Sequence, residues 1–287
     1  MTLQYAVYVA PSVPFTRPNG QDAVFSPISC TLIYGEKNAV LVDIPFTSAQ
    51  TIELVNWIES TAPGKLLETV YITHGHGDHW LGLPTLRKRF PSVSAVATAG
   101  TIAHMQRETS PEYYNLVWGA LFPGQIDESF EFPKPLLPGN EFYLEGHSLK
   151  AMEVGHSDTH DTTVLWVPTL KLAVCGDVVY GDVHQMLAEA NTPALQEEWV
   201  AAIEAVEALK PDFVVAGHKR PEDSDTVSHL SNTKRYIQDF TKISQNAENI
   251  DEIYSAMLKL YPNRFNPFVL KWSAIGKFGN LLASKET

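Results

Sequence analysis

The chain has 287 residues, 44% of them hydrophobic and 19% charged, which is enough for one large globular domain or two small ones. Its formal net charge of -12 argues against a nucleic-acid partner, because an acidic surface repels phosphate backbones. No apolar run reaches the roughly 18 residues of a membrane span, so we expect no membrane partner. There is no secretory signal pattern and no CxxC pair, so we expect a cytoplasmic protein.

Strand-like and helix-like segments alternate through the first two thirds of the chain. Short apolar runs predict strands, and apolar residues spaced three or four apart predict amphipathic helices. From about residue 225 the pattern is entirely helical, at 225–247, 250–260 and 266–283. Strand runs with helices between them, twice over, predict two sheets with helices outside. The predicted strands are 5–9, 28–34, 39–44, 68–73, 93–97, 148–154, 162–167, 171–175 and 213–216, and the predicted earlier helices are 48–60, 81–90, 100–107 and 194–209.

Residues 110–140 mix aromatic side chains with prolines. This segment is too apolar for disorder and too interrupted for one long element, so it is either core or an insertion that walls a pocket. An insertion of the second kind would favour an apolar or aromatic substrate. The candidate pocket residues are Trp118 and Phe122 from this segment, with Phe46, Trp80 and His184 from elsewhere.

The most informative motif is His74-Gly75-His76-Gly77-Asp78-His79, directly after the apolar run 69–72. Four ligand-type side chains crowded at a strand end repel one another when charged and lose hydration when neutral. A divalent cation removes both problems, because imidazole and carboxylate are donors that it prefers. The motif therefore predicts a metal site.

Three later strand ends carry a glycine followed by a residue of ligand type. They are Gly155-His156, Gly176-Asp177 and Gly217-His218. A glycine at such a position lets the backbone approach a metal closely. Taken singly, each histidine or aspartate has an ordinary structural explanation, but their joint occurrence beside the first motif predicts that they complete the site.

The ordered set His74-x-His76-x-Asp78-His79, then His156, Asp177 and His218, resembles that of the metallo-β-lactamase superfamily over roughly residues 28–220. The resemblance implies an α/β fold, the αββα four-layer sandwich. We expect a catalytic domain at 1–224 that includes the insertion at about 110–140, and a helical C-terminal extension at 225–287 packed on it.

The resemblance also implies the roles of the site residues. It implies two zinc ions, although iron, manganese or cobalt would fit the same donors. One ion would be held by His74, His76 and His156, the other by Asp78, His79 and His218, with Asp177 bridging. Asp43 matches the family's aspartate that orients a ligand histidine. It lacks the glycine that usually follows.

Several positions distinguish branches of the superfamily. His76 stands where flavin-linked oxygen-reducing members carry glutamate, and Asp177 stands where one class of antibiotic-hydrolysing lactamases carries cysteine. Tyr180, three residues after Asp177, stands where quorum-quenching lactonases place a tyrosine whose hydroxyl meets the substrate carbonyl oxygen.

These features predict a dinuclear hydrolase that opens a small cyclic ester or amide by means of a metal-bridging hydroxide, with Asp78 as proton shuttle and Tyr180 stabilising the oxyanion. Two alternatives stay open: a thioester hydrolase of the glyoxalase II type and a mononuclear iron persulfide dioxygenase. The expected partner is a small-molecule substrate. The C-terminal helices are expected to cover the active site or to form a homodimer contact.

Overall fold

Two β-sheets lie face to face in the computed structural model, which describes residues 2–17 and 20–279. The strands are β1 (Gln4–Ala10), β2 (Val13–Thr16), β3 (Asp22–Phe25), β4 (Ile28–Tyr34), β5 (Asn38–Val42), β6 (Leu66–Tyr71), β7 (Ser94–Ala97), β8 (Lys134–Pro135), β9 (Glu141–Leu144), β10 (His147–Gly155), β11 (Thr162–Val167), β12 (Leu172–Val174) and β13 (Phe213–Val215). The first sheet has the strand order β1-β4-β5-β6-β7-β8 and the second the order β13-β12-β11-β10-β9, while β2 and β3 form a separate hairpin.

Helices cover the outer face of each sheet. The second sheet is covered by α6 to α9, whose buried side chains form one apolar cluster with β11, β12 and β13. The first sheet is covered by the earlier helices in the same way. The helices are α1 (Ser48–Thr61), α2 (Leu83–Arg89), α3 (Ala99–Glu108), α4 (Pro111–Leu116), α5 (Trp118–Leu121), α6 (Pro193–Ala208), α7 (Ser228–Ser244), α8 (Ile250–Leu260) and α9 (Pro267–Phe278).

Side chains of the central strands point alternately to the helices and to the other sheet. In β5, Ala39 and Leu41 pack against the helices, whereas Val40 and Val42 pack against the second sheet. Side chains of a strand point to opposite faces in turn, so a strand between two layers must be apolar on both. The predicted αββα sandwich with C-terminal helices is thereby confirmed.

Most predicted elements are present with small shifts at their ends. The predicted helix at 225–247 begins at Ser228, and that at 266–283 is α9, with residues 280–283 outside the described part. The hairpin β2–β3 and the strand β9 were missed. Residues 110–140 form the short helices α4 and α5 and an irregular stretch that leads to β8. None of the helices in the described residues is long and apolar enough to cross a bilayer.

Candidate metal centre

The histidine-rich loop follows the buried strand β6 at one edge of the two sheets. A 3₁₀ turn, Gly77–His79, carries two of its ligand-type side chains, both buried. In the second sheet, β12 leads into a 3₁₀ turn with Asp177, and β13 leads towards His218. A side chain on Gly217 would come within 2.2 Å of Asp177 Oδ1, so glycine is what lets these two strand ends meet.

Ligand-type atoms from the two sheets converge in overlapping groups. Atoms of His74, His79 and Asp177 lie within 4.8 Å of one another, and so do atoms of Asp78, His79 and His218. The groups share His79, and Asp177 Oδ2 lies 3.1 Å from His218 Nε2. The first and second sheets therefore contribute to one continuous cluster.

Several atoms of this cluster are buried without a hydrogen-bond partner. They include His74 Nε2, His79 Nε2 and Asp177 Oδ1. A buried polar atom that lacks a partner is costly to the folded state. Divalent cations accept lone pairs from imidazole and carboxylate together, so ions bound in this cluster would satisfy these atoms. The residues present therefore fit a metal.

In two of the histidines, Nδ1 contacts an oxygen atom of the surrounding protein. His79 Nδ1 lies 2.9 Å from Asp43 Oδ2, and His218 Nδ1 lies 2.7 Å from the carbonyl oxygen of Pro27. If each Nδ1–H donates there, each Nε2 is left with a lone pair for a metal. Asp43 adopts a left-handed φ of 62° and also accepts hydrogen bonds from the backbone N–H and hydroxyl of Thr73.

The position of Asp43 leads to a first prediction. Replacing Asp43 with asparagine is expected to lower metal affinity by about 10–100-fold, because the acceptor that orients His79 is weakened. Competition with a chromophoric chelator measures this change. An exposed aspartate, Asp212, provides the control variant Asp212→Asn, and equal affinities in the two variants would contradict the assignment.

Opposite charges in the cluster shift its pKa values in opposite directions. Burial raises the pKa of Asp78, but the charges of His79 and His218 outweigh it and lower this pKa to about 2. Burial lowers the pKa of His218, but Asp177 and Asp78 outweigh it and raise this pKa to about 10. Metal binding must therefore displace protons from the imidazoles.

The predicted role of His156 as a ligand stays a prediction. No group of ligand-type atoms within residues 2–17 and 20–279 contains it, and Asp158 lies with His74 and His76 instead. The register of β10 shifts between Glu153 and Gly155, which has a φ of 82°. The loop that follows this irregularity carries both His156 and Asp158.

Tyr180 contacts one of the ligand-type carboxylates, and its predicted role at the substrate carbonyl stays a prediction. Its side chain is buried, and its hydroxyl donates to Asp177 Oδ2 at 2.5 Å. Its ring stacks on His218 with 5.4 Å between centroids. Burial and the charge of Asp177 raise the pKa of Tyr180 well above its usual range, so it is a neutral donor that positions Asp177.

The candidate pocket residues are buried in the core. Four are packed in the apolar cluster of the first sheet and its helices, and the fifth, His184, lies on the far side of the second sheet next to Tyr236. Their burial gives no support to the prediction that they line an open pocket, since all five are at most 4% exposed. These residues are Phe46, Trp80, Trp118, Phe122 and His184.

The buried imidazole of His184 makes stability depend on pH. Burial, and then the charge of Arg264, lower its pKa to about 4. Between pH ~6.5 and pH ~4, His184 is therefore protonated in the unfolded chain and neutral in the folded protein. We expect this group to lower the free energy of unfolding by up to about 3 kcal/mol as pH falls from 6.5 to 4.

Urea unfolding of His184→Asn should show a smaller loss of unfolding free energy over this pH range. His147→Asn, at the far end of β10, is the control, and an unchanged slope in His184→Asn would count against this explanation.

Two glutamates beside the cluster were missed in the sequence. Glu189 Oε1 lies 3.4 Å from His76 Nε2. Glu108 is buried and accepts hydrogen bonds from the Gly77 N–H and from the Trp118 indole. For Glu189 the available signal was its apolar context, Leu187-Ala188-Glu189-Ala190, which does not identify a partner, and Glu108 has polar sequence neighbours that give no signal.

Comparisons with known proteins agree with this geometry. A sequence model of the metallo-β-lactamase superfamily matches residues 23–218. The metallo-β-lactamase type 2 of Bacteroides fragilis is 23% identical over 226 residues, which cover 75% of this chain and 79% of that protein. The uncharacterised protein YobT of Bacillus subtilis (strain 168) is 26% identical over 208 residues, covering 67% of this chain and 83% of YobT. The solved metallo-β-lactamase from Pontibacter korlensis has a TM-score of 0.58 at 22% identity, covering 83% of this chain and 99% of that one.

Proposed function

Because the chain belongs to the metallo-β-lactamase superfamily, we propose that it is a metal-dependent hydrolase that opens a small cyclic ester or amide, a lactone or a lactam. One observation carries this proposal: buried ligand-type atoms without partners, drawn from both sheets, meet in adjacent groups around Asp177. Purely structural metal sites are closed by their own ligands, whereas catalytic sites keep a position open to substrate. His76, whose side chain is 13% exposed, marks the open side here.

The residues of the cluster divide into two halves. His74 and His76 would contribute to one ion and Asp78, His79 and His218 to the other, with Asp177 between them. When bound, two divalent ions supply Lewis-acid polarisation of a carbonyl oxygen and lower the pKa of water towards about 7.

Protein groups would orient and protonate the reacting atoms. Asp78 lies at the cluster with its Oδ2 3.3 Å from His218 Nε2, and its carboxylate would accept a proton from the attacking water and pass it to the leaving group. Tyr180 donates to Asp177 and so fixes the orientation of the shared carboxylate.

A lactam is the first substrate to test. The relatives from Bacteroides fragilis and Pontibacter korlensis are named metallo-β-lactamases, which supports an amide ring. A ring keeps its leaving group tethered, so a single opening step creates a carboxylate that titration detects. Lactones and thioesters present the same acyl carbon to the same donors and belong in the same panel.

Elemental analysis together with a hydrolysis panel tests the proposal. We expect about two zinc, iron, manganese or cobalt ions per chain, and ring opening that is lost in His76→Ala but retained in the control variant His147→Asn. Preference for the thioester would reassign the substrate to the glyoxalase II type. A single iron with oxygen consumption and no hydrolysis would refute the hydrolase and favour the persulfide dioxygenase.

A further inference from the structure

We propose that Asp158, and not His156, is the third protein ligand of the ion held by His74 and His76. Asp158 Oδ2 lies 2.8 Å from His76 Nδ1 and 3.9 Å from His74 Nε2. The three atoms lie within 4.8 Å of one another, on the scale of donors around one ion. This inference rests on the metal binding in the proposed function and is independent of the substrate.

The two oxygens of Asp158 have different environments. Oδ1 accepts a hydrogen bond from the hydroxyl of Ser157 at 2.8 Å, which fixes the carboxylate. Oδ2 is buried, and its near neighbour is Nδ1 of His76 at 2.8 Å, with which it forms an ion pair when that imidazole is protonated. His74 Nε2 is also buried and without a partner. A cation between these atoms would complete both.

His156 has a different use. Its Nδ1 lies 2.8 Å from the carbonyl oxygen of Ser157, and its ring is half-buried. The backbone N–H of Ser157 in turn donates to the carbonyl of Thr159 at 2.8 Å. His156 therefore contacts the tight loop that carries Asp158, and it has no atom among the ligand groups found in the described residues.

The same loop also orients His76. The hydroxyl of Thr159 donates to Glu189 Oε2 at 2.7 Å, and Glu189 Oε1 lies 3.4 Å from His76 Nε2. With Nε2 facing this carboxylate, Nδ1 of His76 is the nitrogen that faces Asp158. The loop at 156–159 thus supplies one donor and fixes the orientation of another.

This ligand set makes the two halves of the centre alike. Each ion would have two imidazoles and one carboxylate of its own and would share Asp177, a total of four histidines and three aspartates. The set implied by the family resemblance has one more imidazole and one fewer carboxylate. A carboxylate is the harder donor, so the first site should favour Mn²⁺ or Fe²⁺ over Zn²⁺ more than a three-histidine site does.

Matched asparagine variants at the two positions test the assignment. Each protein is stripped of metal, reloaded with Co²⁺ and analysed for cobalt content and absorption spectrum. We expect Asp158→Asn to retain about one ion per chain, or to lose more than ~100-fold in affinity for one ion, which exceeds the ~10–100-fold cost of losing a group that only orients a ligand. We expect His156→Asn to keep the parent cobalt content and spectrum.

Two results would overturn the proposal: loss of an ion in His156→Asn, whatever Asp158→Asn does, or two ions bound with parent affinity in Asp158→Asn. If Asp158→Asn does not fold, Asp158→His replaces it. That variant should bind two ions and prefer Zn²⁺ over Mn²⁺ more strongly than the parent, and an unchanged preference would also overturn the assignment. Metal content is read without substrate, so a protein that binds two ions but hydrolyses nothing refutes only the proposed function.

Discussion

Replacing Asp177 with asparagine is expected to remove at least one metal ion and to reduce kcat/KM for hydrolysis by roughly 10³-fold. Asp177 Oδ1 lies 3.2 Å from His79 Nε2 and Oδ2 lies 3.1 Å from His218 Nε2, so one carboxylate spans the cluster. An amide has only one oxygen and no charge, so it cannot replace this shared donor.

Elemental analysis and steady-state kinetics measure the effect of Asp177→Asn. Asp212→Asn is the matched control, because Asp212 is an exposed residue paired with Lys171. A variant at Asp177 with the parent metal content and parent kcat/KM would show that the proposed site is not where hydrolysis occurs.

Removing the metal is expected to lower the melting temperature by at least about 10 °C. Each ion at ~1,000 times its dissociation constant stabilises the fold by about 4 kcal/mol, and ~1 kcal/mol corresponds to about 2–4 °C in a chain of this size. The effect should be larger at pH 8 than at pH 6. The Asp177 and Asp78 carboxylates raise the pKa of His218 to about 10, so protons compete with metal more strongly as pH falls.

Calorimetry or thermal circular dichroism with and without chelator measures the difference. Adding the metal back must restore the melting temperature, and Asp177→Asn must lose less on chelation than the parent does. A melting temperature that is insensitive to chelator at both pH values would contradict metal binding at this cluster.

The elements that were predicted well have local signals. The loop His74–His79 is a contiguous motif, and the strands β4 and β11 have the predicted bounds because no glycine, proline or charged residue interrupts them. The hairpin β2–β3 was missed because Pro14 interrupts its first strand and its two short strands lack a continuous apolar run.

The differences at the site concern properties that do not follow from local sequence. Asp158, and not His156, lies in a group of ligand-type atoms with His74 and His76, and the sequence alone does not give the path of the loop after the irregularity at the end of β10. The burial of Trp118 and of the other candidate pocket residues depends on which elements cover them. The boundary predicted near residue 224 between catalytic domain and extension stays a prediction.

The carbonyl of Pro27 that faces His218 lies 191 positions earlier in the chain. The site therefore combines the start of β4, the loop after β6 and the ends of two strands of the other sheet. Contacts so distant in sequence form late, because long loops must close before they contribute. During synthesis, the emerging chain has the histidine-rich loop long before it has His218. We therefore expect the complete centre to bind its metal ions only after the two sheets have docked. The rate of metal uptake during refolding would then report the rate of that docking.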